Sequence, residues 1–121
     1  MKYILLIYQN EESWKSLTEP ELQQIYQEYG ELRQQLQSTG QYVSGSQLQP
    51  TTTAASVRIR NGKDLVTDGP FAETHEQLGG YILIEAGSLE EAVAVGKRIP
   101  SARLGTIEVR PQVERAAEAT A

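Results

Sequence analysis

The side chains best suited to acid–base chemistry are concentrated between residues 66 and 80. Asp68, Glu73 and Glu76 lie there with His75, the only histidine of the chain. Histidine titrates close to neutral pH, and a neighbouring carboxylate can hold it in place as a general acid or base. These residue types predict a proton-transfer site with Asp68 as the base and His75 as its assistant.

A purely structural interpretation of the same segment is equally consistent with its composition. Asp68-Gly69-Pro70 is a turn sequence, since Asp bonds nearby backbone N–H groups, Gly accepts positive φ and Pro fixes the exit direction. Residues 73–76 are predicted to form a short helix that ends before Gly79. On such a helix Glu73 and His75 would be solvated, with the glutamate favoured near the helix N-terminus.

Four further side chains are predicted to bind a ligand. They combine aromatic surface with one charge: Tyr8, Tyr26, Phe71 and Glu73. One histidine with scattered carboxylates gives no metal-ligand spacing, so no metal site is predicted. The absence of cysteine excludes thiolate chemistry and disulfides. No cofactor motif is present either, because Gly79-Gly80 precedes a predicted strand and not a helix.

Composition limits the function classes. The 121 residues fit one domain, predicted over 1–112, with a disordered tail at 113–121. A net charge of −5 argues against a nucleic-acid partner, whose phosphates require clustered Lys and Arg. The apolar run 3–8 is too short for a signal segment or a membrane span. We therefore expect a cytoplasmic protein without a membrane partner.

The elements that would position these residues follow from periodicity and punctuation. Strands are predicted at 3–8, 42–49, 81–86 and 106–110, and Asn61-Gly62 predicts a hairpin between 56–60 and 64–67. Thr18 and Glu21 form a capping box that starts a helix reaching Gly40. Ser88 starts a second helix, whose inner stripe is predicted to contain Leu89, Ala92, Val93, Gly96 and Ile99.

Without the hairpin, the order of elements is β-α-β-β-α-β. This is the ferredoxin-like unit of the α+β class, with a β-hairpin insertion. Two helices cover one face of such a sheet, yet strands 3–8 and 81–84 are apolar on both faces. Soluble monomers rarely expose a continuous apolar face of this kind. A homodimer that packs sheet against sheet about a two-fold axis is therefore predicted.

The motif at 66–74, Val-Thr-Asp-Gly-Pro-Phe-Ala-Glu-Thr, and Glu-Gln-Leu-Gly-Gly at 76–80 closely resemble the DGPF-motif branch of the YCII-related proteins. The likeness extends from the opening run at 1–8 to residues 98–111. It implies the dimeric α+β barrel superfamily, which includes muconolactone-isomerase-like enzymes and monooxygenases. It also implies a pocket-lining role for the matched positions Asp68, Gly69, Pro70, Phe71, Glu73, Gly79 and Gly80.

This chain departs from that resemblance in two ways. The DGPF branch commonly has Lys where His75 stands. Other YCII-related proteins resemble enzymes that use a His–Asp pair with the histidine elsewhere in the fold, and this chain has no second histidine to form it. Members often accompany extracytoplasmic-function sigma factors, which implies a possible partner. Three functional hypotheses follow. One is an isomerase or lyase that acts on a small polar or aromatic molecule by carboxylate-assisted proton transfer. The second is a non-enzymatic binding or regulatory module. The third is a structural dimer that binds no ligand.

Overall fold

The computed structural model describes residues 1–115, in which two longer helices pack on one face of an antiparallel sheet. Two 3₁₀ turns, Thr51–Thr53 and Pro100–Arg103, occur in the connections. The regular elements are β1 (Lys2–Gln9), α1 (Glu11–Lys15), α2 (Glu19–Ser38), β2 (Tyr42–Gln47), β3 (Ala55–Arg60), β4 (Lys63–Asp68), β5 (Gln77–Glu85), α3 (Leu89–Gly96) and β6 (Thr106–Pro111).

The main sheet has the strand order β2-β5-β1-β6, and every neighbouring pair is antiparallel. The hairpin β3–β4 forms a separate two-stranded sheet. Without that hairpin the four strands and the helices α2 and α3 have the ferredoxin-like arrangement, so the α+β prediction is confirmed. The hairpin turns at Asn61 and Gly62, whose φ angles of 53° and 73° are those of a tight type I′ turn.

The core lies between the sheet and the two longer helices. Alternate residues of β1 and β5 face inward, as expected for strands whose side chains point to opposite faces in turn. Thr18 and Glu21 form the predicted capping box at the start of α2. The largest buried apolar side chains are Tyr3, Leu5, Ile7, Ile25, Leu32, Leu36, Ile82, Ile84, Val95 and Ile99.

The opposite face of the sheet carries no helix. On β1 the side chains of Ile4, Leu6 and Tyr8 point to this face and are half-buried. Leu83 of β5 is paired with Ile4 and continues the same apolar surface. We call the surface formed by these four residues the open face. It follows that β1 and β5 present apolar side chains both to the helices and away from them.

The predicted helix at 73–76 is wrong. Residues 70–76 have no regular secondary structure, and β5 begins at Gln77, before the glycine pair. The local pattern competes with contacts from distant parts of the chain. Asn10 donates from Nδ2 to the carbonyl oxygen of His75 at 2.7 Å. Thr106 donates from Oγ1 to Oε1 of Glu76 at 2.8 Å. Both hydrogen bonds join the segment to distant residues. In a local helix the His75 carbonyl would bond within the helix, and the Glu76 carboxylate would face solvent.

The buried face of α3 differs in part from the inner stripe that was predicted. Leu89 is 50% exposed and Val93 is exposed as well, whereas Val95 is buried beside Ala92 and Gly96. The close helix–sheet approach predicted at Gly96 is confirmed, because an added Cβ there would lie 3.4 Å from Cγ2 of Val109.

The predicted tail at 113–121 falls mostly outside the described residues. Residues 113–115 have no regular secondary structure, and 116–121 are not described. Within residues 1–115 no helix is both long and apolar enough to cross a membrane.

Candidate functional site

A cleft of about 340 Å³ lies between α2 and the helix-facing side of the sheet. Pockets that bind small molecules are usually of this size or larger, and combine apolar walls with a few polar groups. Its walls come from β1, α1, α2, β2, β5 and the turn after α3. The lining residues are Ile7, Gln9, Trp14, Tyr26, Tyr29, Gly30, Arg33, Tyr42, Gly45, Ser46, Gln47, Gly79, Gly80, Tyr81, Ile82 and Ser101.

Aromatic side chains form much of the wall. Trp14 on α1 packs edge to face with Tyr26 on α2, with 6.1 Å between ring centroids and 73° between ring planes. The Tyr26 hydroxyl accepts a hydrogen bond from Nε2 of Gln47 at 3.3 Å. Asn10 caps α1 by accepting from the Ser13 amide, which fixes the short helix that carries the indole. The wall offers flat faces on which a planar ligand could stack.

Tyr29 supplies a fixed hydroxyl deep in the cleft. Its oxygen lies 2.7 Å from the hydroxyl of Ser101, which is 1% exposed. Burial raises the pKa of the Tyr29 phenol, and the hydrogen bond with Ser101 opposes that shift. Tyr29 is therefore neutral across the physiological pH range, and it acts as a hydrogen-bonding group there and not as a base.

Arg33 brings a positive charge to the cleft. Its guanidinium carbon lies 5.1 Å from the centroid of the Tyr42 ring, a cation–π distance. The residues three and four positions away on α2 are Tyr29, Gly30, Leu36 and Gln37, none of them acidic. Within residues 1–115 no carboxylate forms an ion pair with Arg33. The cleft thus contains a cation without an anionic partner in that part of the chain.

Gln9 brings an unsatisfied polar atom to the same cleft. Its Oε1 is buried and finds no hydrogen-bond donor among the described residues. Such a group normally receives a donor from protein, water or ligand, because leaving it unpaired costs about 1–3 kcal/mol. The neighbouring glycines allow the close packing at this end. A Cβ on Gly79 would lie 3.1 Å from Nε2 of Gln9, and one on Gly80 would lie 2.8 Å from the Ser46 carbonyl oxygen.

The predicted site residues are distributed over several surfaces. Tyr26 lines the cleft, whereas Tyr8 points to the open face on the other side of the sheet. Phe71 is 79% exposed, and Glu73 is also exposed. Of the motif positions expected to line a pocket, Gly79 and Gly80 do so. The end of the motif therefore lines the cleft, and residues 68–73 at its beginning do not.

Asp68 and His75 are both exposed and do not line the cleft. In the described part of the chain no hydrogen bond or ion pair joins them. Asp68 ends β4, and Gly69 after it has a φ of 89° and donates its amide to the Ala54 carbonyl at 2.6 Å. His75 is held by its carbonyl to Asn10, next to Gln9, at one end of the cleft. Their catalytic roles remain predictions.

Sequence reasoning missed the polar residues of the cleft. Gln9, Arg33, Tyr42 and Ser101 carry no motif, and they come from four separate elements. One signal was present at Arg33, since a helix that contains five acidic and basic residues gives it no acidic partner at helical spacing.

Two features define the class of the protein. One is an α+β fold with helices on one face of the sheet, and the other is a cleft beneath α2 that is large enough for a small molecule. Residues 1–115 match the YCII-related domain family, and the chain belongs to that family. It is 34% identical over 113 residues to an uncharacterised protein of Rhizobium meliloti (strain 1021). That match covers 92% of this chain and 91% of the relative.

Proposed function

We propose that this protein is a homodimer that binds a small polar or aromatic molecule in the cleft beneath α2. The observation that carries the proposal is the cleft itself, where aromatic walls meet one unpaired cation and one unsatisfied buried amide. Apolar surface with a few convergent polar groups is the usual composition of a ligand site. The motif at 66–80 supports assignment to the DGPF branch of the family.

The open face supports the dimer. Ile4, Leu6, Tyr8 and Leu83 are only half-buried in one subunit and lie on adjacent strands. A second copy packed against the same surface would bury this apolar area. Such burial stabilises an assembly by roughly 25 cal/mol per Å². A two-fold arrangement lets the same patch serve both copies.

Filling the cleft should prevent binding without unfolding the protein. Gly30 lines the cleft from α2, and a Cβ built there has no heavy atom within 4 Å. The Gly30→Met variant should therefore place its side chain in the empty space, and the helix gains propensity by roughly 0.5–1 kcal/mol. A ligand-observed NMR screen of small fragments should give competing hits with the natural sequence and none with Gly30→Met. If no fragment binds the natural sequence at millimolar concentration, the cleft is not a ligand site.

The proposed activity at this site is isomerase- or lyase-type proton transfer, with Asp68 as base and His75 assisting. Since neither residue lines the cleft of its own subunit, this activity requires the segment at 68–76 to reach a bound ligand. That could occur by movement of the segment or by delivery from the second copy. The hydrogen bond from Asn10 to the His75 carbonyl supports the proposal, because Asn10 directly follows Gln9, which lines the cleft.

An Asp68→Asn exchange tests the activity directly. Abstraction of a carbon-bound proton in D₂O should introduce deuterium into a bound fragment, and NMR can follow its rate. The variant should lower that rate about 100-fold or more, the range expected for loss of a general base. Asp64→Asn, an exposed aspartate on the same strand, is the matched control and should leave the rate unchanged. A drop in melting temperature in Asp68→Asn alone would identify Asp68 as a turn residue instead.

A non-enzymatic binding or regulatory role is the second candidate. In the described chain the cleft is lined by no Asp, Glu, His or Lys, and Arg33 is its only charged residue. This composition favours recognition over acid–base chemistry. The resemblance to the DGPF branch adds an extracytoplasmic-function sigma factor as a partner. The compartment that we propose, from the composition of the chain, is the cytoplasm. Absence of deuterium uptake from every bound fragment would favour this role.

A further inference from the structure

We infer that the ligand of the cleft is an aromatic carboxylate, held through its carboxylate by Arg33. The inference rests on the proposed function and adds the chemical class of the ligand. The first observation is the charge of the residues that line the cleft. The protein has a net charge of −5, yet among residues 1–115 the one charged group that lines the cleft is a cation. Arg33 is itself exposed to solvent, so water and salt screen its attraction for an anion, and contacts with the aromatic walls have to add to that attraction.

The geometry of Arg33 favours a carboxylate among the anions. Its guanidinium stacks over the Tyr42 ring at 5.1 Å, which orients the flat group while leaving its N–H donors unused by any described carboxylate. A guanidinium fork matches the two oxygens of a carboxylate in a bidentate hydrogen bond. A single cationic side chain in an aromatic-walled cleft fits one such charge better than the two of a phosphate.

The walls select the remainder of the ligand. Trp14, Tyr26 and Tyr29 line the same cleft as Arg33, so a planar ring joined to the carboxylate would stack on aromatic side chains. The buried Oε1 of Gln9 is a second sign that the cleft accepts a guest, because it lacks a donor in the described chain. A carboxylate joined to an aromatic ring has no donor of its own, so a water molecule ordered beside the ligand would donate to this oxygen.

The test compares trans-cinnamate with its neutral isostere trans-cinnamamide by NMR titration. With the natural sequence the acid should bind roughly 10-fold or more tightly than the amide, since a charge-assisted pair is about twice as strong as a neutral one. Arg33→Gln should weaken the acid roughly 10- to 100-fold and change the amide little. Raising the salt concentration should weaken the acid alone.

Two control variants separate charge from shape. Arg58→Gln removes the same charge from the exposed hairpin and should change neither affinity. Gly30→Met fills the cleft and should abolish binding of both compounds.

The possible failures are distinguishable. Equal binding of acid and amide, lost in Gly30→Met but not in Arg33→Gln, overturns the carboxylate and leaves the cleft as a ligand site. Failure of both compounds to bind, while other fragments do, also overturns the carboxylate alone. If no fragment binds, the proposed function and this inference are both wrong.

Discussion

Replacing Leu6 by glutamate should convert the protein from a dimer to a monomer. Leu6 lies in the middle of the open face, paired with Glu108 on one side and Tyr81 on the other. In a two-fold interface the substitution would bury two carboxylates without partners. At roughly 2 kcal/mol for each, dimer dissociation should become about 1000-fold more favourable. Light scattering at micromolar concentration should report 13.4 kDa for the variant, and we expect twice that mass for the natural sequence.

The same substitution at Leu89 provides the control. Leu89 is 50% exposed in the first turn of α3, where an acidic side chain suits the helix dipole. Leu89→Glu should therefore leave the mass unchanged. Circular dichroism should show both variants folded, since Leu6 is only half-buried within one subunit. A natural sequence that scatters as a 13.4 kDa particle would contradict the dimer, and a dimeric Leu6→Glu would place the interface elsewhere.

The fold could be predicted because each signal in it is local. The capping box at Thr18 and Glu21, the Asn61-Gly62 turn and the alternating runs act within a few residues. The box and the turn appear where the pattern indicated, whereas β5 begins at Gln77, before its predicted start at 81. The predicted helix at 73–76 is wrong because the contact that determines the backbone there is not local. Its backbone is held by Asn10, which is 65 residues away in the sequence, and no local pattern contains that contact.

The site was predicted less well because its parts are assembled by the fold. The 66–80 motif predicted a site because it is dense in ionisable groups. Exposed carboxylates such as Glu73 also occur on protein surfaces that have no function. Only the final glycines of the motif reach the cleft. The pair formed by Arg33 and Tyr42 joins residues nine positions apart through the packing of α2 on β2. Of the four side chains predicted to bind a ligand, Tyr26 does line the cleft.

Two glycine-to-alanine substitutions should change stability in opposite directions. A Cβ at Gly105 would lie 2.1 Å from the carbonyl oxygen of Tyr8 and 3.0 Å from Cα of Gln9, so the backbone there must shift. We expect Gly105→Ala to cost roughly 3 kcal/mol, the upper part of the usual range for overpacking. A Cβ at Gly30 meets nothing within 4 Å inside α2, so Gly30→Ala should gain roughly 0.5–1 kcal/mol.

Thermal unfolding at equal protein concentration measures both effects, because the melting temperature of a dimer depends on concentration. Gly105→Ala should melt roughly 10 °C or more below the natural sequence, and Gly30→Ala a few degrees above it. The strain at Gly105 acts on Gln9, so Gly105→Ala should also weaken fragment binding at that end of the cleft. Unchanged stability in Gly105→Ala would mean that β1 and the start of β6 are farther apart than the structure places them. A loss of stability in Gly30→Ala would show that the space beside α2 is already filled.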